Sequence, residues 1–415
     1  MRRILLSLAL AAALLTAAGI VVRPSSTPAP AAASVPDPLA LRVERAQQHL
    51  RDVPADWSGW AALGGAYLEQ ARVTSDPTLY PRADQAARKS LSLRRNGDAL
   101  VVLGALANAR HDFATARDQA REALRLAPDD GDAYGVLTDA LTQLGDGPGA
   151  TEAVQHMLDT RPGLAAYARA SYDLELRGKL TEAESLMRRA LVDAVDPHDA
   201  AFCRIQLGDL AFGRGDLRSA SDEYAAALTA DPASVAALRG RARVRAAQGD
   251  LPGALADYAD LTARLPGPAY LLEFAELREV AGRPATDQLA LAAAAQELFT
   301  ANGGQDGLAT AALALATGRP ADAVTAAEAE WSRRHHPDVA DTLAWSLHAA
   351  GRDAEALAVA PRTGPATYAY HLGVIQLSLG RTADARESLT RALTTNPYFS
   401  PTDAPTARRA LGALR

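Results

Sequence analysis

The chain has 415 residues, a formal net charge of −6, 48% hydrophobic but only 5% aromatic residues, and a single cysteine. The apolar share is mostly Ala and Leu, the best helix formers, rather than the β-branched and aromatic residues that favour strands, so an all-α fold is expected. An acidic body argues against a nucleic-acid partner, and Cys203 alone can form neither an intrachain disulfide nor a cysteine-rich metal site.

At the N-terminus Arg2 and Arg3 precede an uncharged run from Ile4 to Val22, which Arg23 closes. The run is long enough to cross a bilayer and also contains Ala17-Ala18-Gly19, a small-residue cleavage site. Residues 1–23 therefore read equally as a cleaved signal peptide or a retained membrane anchor. Positive charge before the run holds that end in the cytoplasm, so the body is expected outside it in both cases. The chain would then be exported, and would meet a membrane only through this segment. Residues 24–36, PSSTPAPAAASVP, have no periodic apolar face and read as a tether. A capping helix is expected within 37–56, where Asp37-Pro38 makes a start signal and Leu39, Val43, Ala46 and Leu50 form one apolar face.

From residue 57 the sequence repeats itself. Small or equivalent residues recur roughly 34 positions apart, at Gly64, Gly104, Thr138, Ser171, Gly208, Ala242, Glu276, Ala311, Ala344 and Gly373. A second pattern follows seven of them: Ala116, Ala120, Ala123 and Pro128, then Ala150, Val154, Met157 and Pro162, with later full copies beginning at Ala220, Ala254 and Ala385 and copies without the proline at Ala183 and Ala323. Two helices approach closely only where side chains are small, and bulkier neighbours fill the space beside the crossing. Glycines at 145, 178, 215, 249, 282, 318, 351 and 380 stand where a first helix must end in a left-handed residue. Thr181 with Glu184 reads as a capping box for one second helix. Prolines after the second helices turn the chain into the next repeat.

Trp60-x-x-Leu63-Gly64-x-x-Tyr67 resembles the first-helix signature of the tetratricopeptide repeat, and the small-residue and proline pattern resembles its second helix. The resemblance covers residues 57–397 and implies a right-handed α-solenoid of about ten helix pairs. A terminal capping helix is expected in 398–415, from the spacing of Ala407, Ala410, Leu411 and Leu414. Three departures stand out: extra residues at Arg72–Pro81, Glu276 at a small position of the seventh repeat, and a short second helix near Ala360-Pro361 in the ninth.

No phosphate loop, nucleophile elbow or His-Glu-x-x-His motif occurs, and no segment free of repeats is left to supply a catalytic domain. The expectation is a non-enzymatic scaffold without catalytic residues, cofactor or metal, which holds a protein or peptide in its concave groove. The resemblance places Asn108, Asp139, Arg169, Tyr172, Asp209, Phe212, Arg239, Arg243, Trp345, His348, Tyr370 and His371 on that groove. Arg239 and Arg243 lie one helical turn apart and could clamp a carboxylate. Val101 and Ala105 stand where chaperone-binding repeats carry Lys and Asn, which argues against a chaperone-tail ligand. The alternative is an envelope metal-handling or enzymatic accessory protein that uses the histidines of the C-terminal repeats, His348 and His371. Cys203 reads as a buried small hydrophobe rather than a reactive thiol.

Overall fold

The computed structural model describes residues 38–414; the expected leader and tether, with Asp37, lie outside them. The described residues contain 22 α-helices and no strand. α1 (Pro38–Asp52) precedes α2 (Trp57–Thr74), α3 (Tyr80–Leu93), α4 (Gly97–Ala109), α5 (Phe113–Leu126), α6 (Gly131–Leu144), α7 (Gly147–Thr160) and α8 (Leu164–Leu176). The chain continues through α9 (Leu180–Asp193), α10 (Pro197–Gly213), α11 (Leu217–Ala230), α12 (Val235–Ala247), α13 (Leu251–Arg264), α14 (Pro268–Val280) and α15 (Thr286–Ala301). The remaining helices are α16 (Gly307–Ala316), α17 (Pro320–Arg333), α18 (Pro337–Ala349), α19 (Asp353–Val359), α20 (Ala366–Ser378), α21 (Thr382–Thr395) and α22 (Asp403–Ala413). From α2 to α21 they pair in sequence as ten helical repeats, each partner packed on the next. No helix among the described residues is long and apolar enough to cross a membrane.

Local chemistry sets the helix ends. The eight glycines expected to end first helices all have positive φ, between 69° at Gly282 and 86° at Gly249. In the second repeat His111 takes this left-handed role at φ 58°. After several of these turns an aspartate caps the second helix: Asp112, Asp146, Asp216 and Asp250 each accept a bond from the backbone N–H three residues on. The capping box expected at Thr181 does not form. α9 starts at Leu180 after Lys179 with no side-chain cap, and Glu184 pairs with Arg188 and Arg214 instead. The extra residues of the first repeat do not hang as an open loop; they extend α2 to Thr74 and then form a 3-10 turn, Pro77–Leu79.

Small residues at the crossings let bulky ones fill the interior. Tyr224 on α11 is fully buried against Gly208, where an added Cβ would stand 2.6 Å from its ring. Cys203 lies in the same kind of interior, beside Met187, Ala190 and Leu207, and burial pushes its thiol up to about 11.

The solenoid returns on itself, which the repeat pattern alone does not announce. Gln305 N–H donates to Arg110 O at 2.9 Å, and His335 N–H to Leu144 O at 3.3 Å. Arg334, only 3% exposed, pairs with the buried Glu330, donates to Gln143 Oε1 at 2.6 Å and lies over the Phe113 ring. Further along, Asn396 Nδ2 donates to Phe212 O at 2.8 Å. Ser400 then donates to Glu276 Oε1 at 3.1 Å. These bonds form a seam between the early repeats and the later ones. Glu276, out of place as a small crossing residue, is the acceptor on which the segment before α22 docks.

Candidate binding chamber

Closure of the seam encloses a chamber of about 690 Å³ inside the superhelical turn. Its wall is built from successive first helices, because their inward positions face the axis about which the repeats turn. Asn108, Asp139, Arg169, Tyr172, Asp209, Phe212, Arg239 and Arg243, all expected on the concave face, line it together.

Most of the charge on this wall is already paired. Arg169 holds Asp139 in a two-bond fork, with both distances 2.8 Å. Arg239 makes the same fork with Glu273, at 2.8 and 2.5 Å, while Tyr258 donates to that carboxylate at 3.0 Å. Burial alone would push Glu273 up, yet the Arg239 guanidinium outweighs it and holds the carboxyl below its ordinary value. Arg239 and Arg243 therefore do not form the expected clamp, since Arg239 is consumed within the protein. Arg243 instead lies over the Phe212 ring, 4.2 Å from its centroid, with Asp209 Oδ1 at 3.7 Å. Asp209 is fixed by the Tyr224 hydroxyl, which donates at 2.6 Å.

Two chamber residues combine solvent contact with enclosure. Tyr172 is 40% exposed and Glu175 is also exposed, but protein surrounds both across the chamber. Burial, then the nearby Asp209 and Asp338, push Glu175 up to about 7; burial likewise raises the Tyr172 phenol. Glu175 sits three residues after Tyr172 on one helical face, a spacing by which the sequence could have named it.

The C-terminal part of the expected groove is corrected by the structure. Trp345, Tyr370 and His371 are 2%, 4% and 0% exposed and do not reach the chamber. Trp345 is stacked between His371, with ring centroids 4.0 Å apart, and His348, at 5.0 Å. Tyr370 packs on Phe399, at 5.5 Å, from the segment before α22. The last repeats thus present this face to their own C-terminal segment, not to a ligand. Both histidines are engaged: His371 Nδ1 stands 2.9 Å from Asp341 Oδ2, and His348 Nδ1 2.5 Å from Asp353 Oδ1. Among the described residues no three His, Cys, Asp or Glu side chains converge to hold a metal ion.

In their place Arg334, Asp338, Thr367 and Tyr368 supply the C-terminal wall. Burial would raise Asp338, but the neighbouring His336 ring and the bond from the Tyr368 hydroxyl hold it below its ordinary value. Sequence reasoning missed these residues because they stand at helix starts and ends, where the period gives no inward assignment.

Tetratricopeptide-repeat family models match residues 102–165, 205–268 and 366–399. The chain carries tetratricopeptide repeats. It is similar in structure to a thermophilic TPR protein of Thermus thermophilus, at 19% identity over 45% of this chain and 98% of that one, with TM-score 0.41. PilW, described as a widely conserved type IV pilus biogenesis factor, shares 17% identity over 57% of this chain and 92% of its own, with TM-score 0.38. A chain of the APC/C hetero-tetramer Cut9-Hcn1 shares 14% identity over 91% of this chain and 93% of its own, with TM-score 0.42. No curated protein matches the chain. Tetratricopeptide-repeat proteins are generally non-enzymatic scaffolds that bind other proteins.

Proposed function

We propose that this chain is an exported tetratricopeptide scaffold that holds an extended segment of a partner protein within its superhelical turn. The observation that carries the reading is the chamber wall: inward residues of several repeats, with paired charges and one free aromatic at Tyr172. A wall of this kind favours a mixed polar and apolar peptide over a strongly charged ligand, because its ion pairs leave little net field to satisfy. Export rests on the charged and apolar pattern of residues 1–23, followed by the tether 24–36.

A photo-crosslinking residue at Tyr172, compared with one at the exposed Val192, tests the binding site in the producing cell. A discrete protein adduct is expected from position 172 and not from 192; equal labelling from both would overturn the chamber assignment. Protease accessibility in intact and osmotically shocked cells tests export, and the mass of the mature N-terminus separates cleaved signal from retained anchor.

A further inference from the structure

Beside the chamber lies a second cavity of about 310 Å³, between α12, α13, α14 and the segment before α22. Its walls are apolar, with Ala246, Leu277, Tyr258 and Phe399 among them, and its rim includes Val280 and Tyr398, which are 37% and 36% exposed. Phe212, Phe399 and Arg243 line this pocket and the chamber alike, so Arg243 stands at the junction of the two.

Arg243 differs from the other arginines of its helix. Arg239 is forked to Glu273; Arg241 is forked to Asp257 at 3.0 and 2.6 Å; Arg245 donates to Asp257 at 2.8 Å. The Arg243 side chain makes no hydrogen bond among the described residues, and its nearest carboxylate oxygen is the one on Asp209 at 3.7 Å. A guanidinium carries five donors in a planar fork that matches a carboxylate. Arg408 adds a second positive charge to the wall.

We propose that this side pocket binds a small carboxylic acid with a compact apolar body, its carboxylate on Arg243 and its body among Leu277, Val280, Tyr258 and Phe399. The acidic groups facing the pocket do not oppose this. Glu273 is neutralised by Arg239. Glu276 accepts from Ser400 and Thr402, and burial with the nearby Asp403 pushes it up to about 8, so it is largely uncharged at neutral pH. An apolar cleft of modest volume, whose cation is held only by a ring face and one carboxylate beyond hydrogen-bond distance, selects a ligand that is apolar at one end and anionic at the other. The site does not depend on a protein partner occupying the chamber.

Titration calorimetry of the full chain with N-acetyl-L-phenylalanine, against its uncharged amide, tests the site. Saturable binding of the acid is expected, with the amide and the Arg243→Gln variant each weaker by about tenfold or more. Val280→Trp, a substitution at the exposed rim, should block the pocket without disturbing the interior, and its thermal midpoint should match the wild type. Absence of saturable binding by the acid, or equal affinity for acid and amide, would overturn the proposal, as would unchanged affinity in both variants.

Discussion

Glu276 accepts hydrogen bonds from the hydroxyls of Ser400 and Thr402, residues 124 and 126 positions further along the chain. This contact ties the seventh repeat to the C-terminal segment, and Asp403 stands beside it with its own carboxyl raised to about 6, chiefly by burial. The Glu276 carboxyl moves from its ordinary 4.5 to about 8 in the folded chain. The folded state therefore keeps a proton that the unfolded chain releases. The stability this contributes is fully present below about pH 4.5, declines as pH rises, and is gone above about pH 8. Glu276→Gln keeps the acceptor oxygen and removes the ionisation. It should gain about 1–3 kcal/mol on the wild type at pH 8 relative to pH 5, read from urea unfolding at both values. A difference that does not change with pH would mean that Glu276 is not ionising in this window.

The Arg239–Glu273 fork makes a second prediction. Both side chains are largely buried, at 15% and 12% exposed, so removing one leaves the other uncompensated. Arg239→Ala should cost about 3–5 kcal/mol, and the double variant Arg239→Met/Glu273→Leu much less than the sum of the single changes. A double-mutant cycle in denaturant measures the coupling. A cost below about 1 kcal/mol for Arg239→Ala would return this arginine to the pool of groups free to meet a ligand.

Gly145 and Gly249 occupy equivalent positions with φ of 84° and 86°, but only one touches the seam. An added Cβ at Gly249 meets nothing within 4 Å, whereas at Gly145 it would lie 2.6 Å from His335 O. Gly249→Ala should cost about 1 kcal/mol, the penalty for a side chain in left-handed backbone. Gly145→Ala should cost that and also loosen the seam, seen as faster hydrogen exchange at the His335 amide. Equal costs with unchanged exchange would show that the seam contributes little there.

Cys203 should resist thiol reagents while the chain is folded, because it is buried and its thiol is held far from ionisation at neutral pH. Pulsed alkylation across a urea series should track global unfolding. Rapid labelling under native conditions would reveal local opening between α9 and α10.

Much of the architecture was legible from residues alone, because each repeat solves the same packing problem with the same small set of side chains. Ala116, Ala120 and Ala123 had to be small, and Gly145 had to be left-handed, wherever the chain led next. The inward wall from Asn108 to Arg243 followed from the resemblance to the repeat family, which says which first-helix positions face the groove. The seam was not legible: Gln305 with Arg110, or Asn396 with Phe212, are pairings between distant repeats that leave no spacing to read. That omission caused the misplacement of Trp345, Tyr370 and His371. These side chains are buried, and Tyr370 is covered by the chain's own C-terminal segment through Phe399. The charges on Arg239 and Glu273 were likewise visible, while their pairing across adjacent first helices was not.

The seam also fixes how many repeats can stand between its partners. In an open solenoid a unit can be gained or lost with only local consequences, since each contacts its neighbours alone. Here Gly145 must meet His335, and Glu276 must meet Ser400, so inserting or deleting one helix pair between them would carry every later contact out of register. Between these partners the molecule is counted as well as repeated: the number of helix pairs from Arg110 to Gln305, or from Leu144 to His335, is set by the arc needed to bring them together.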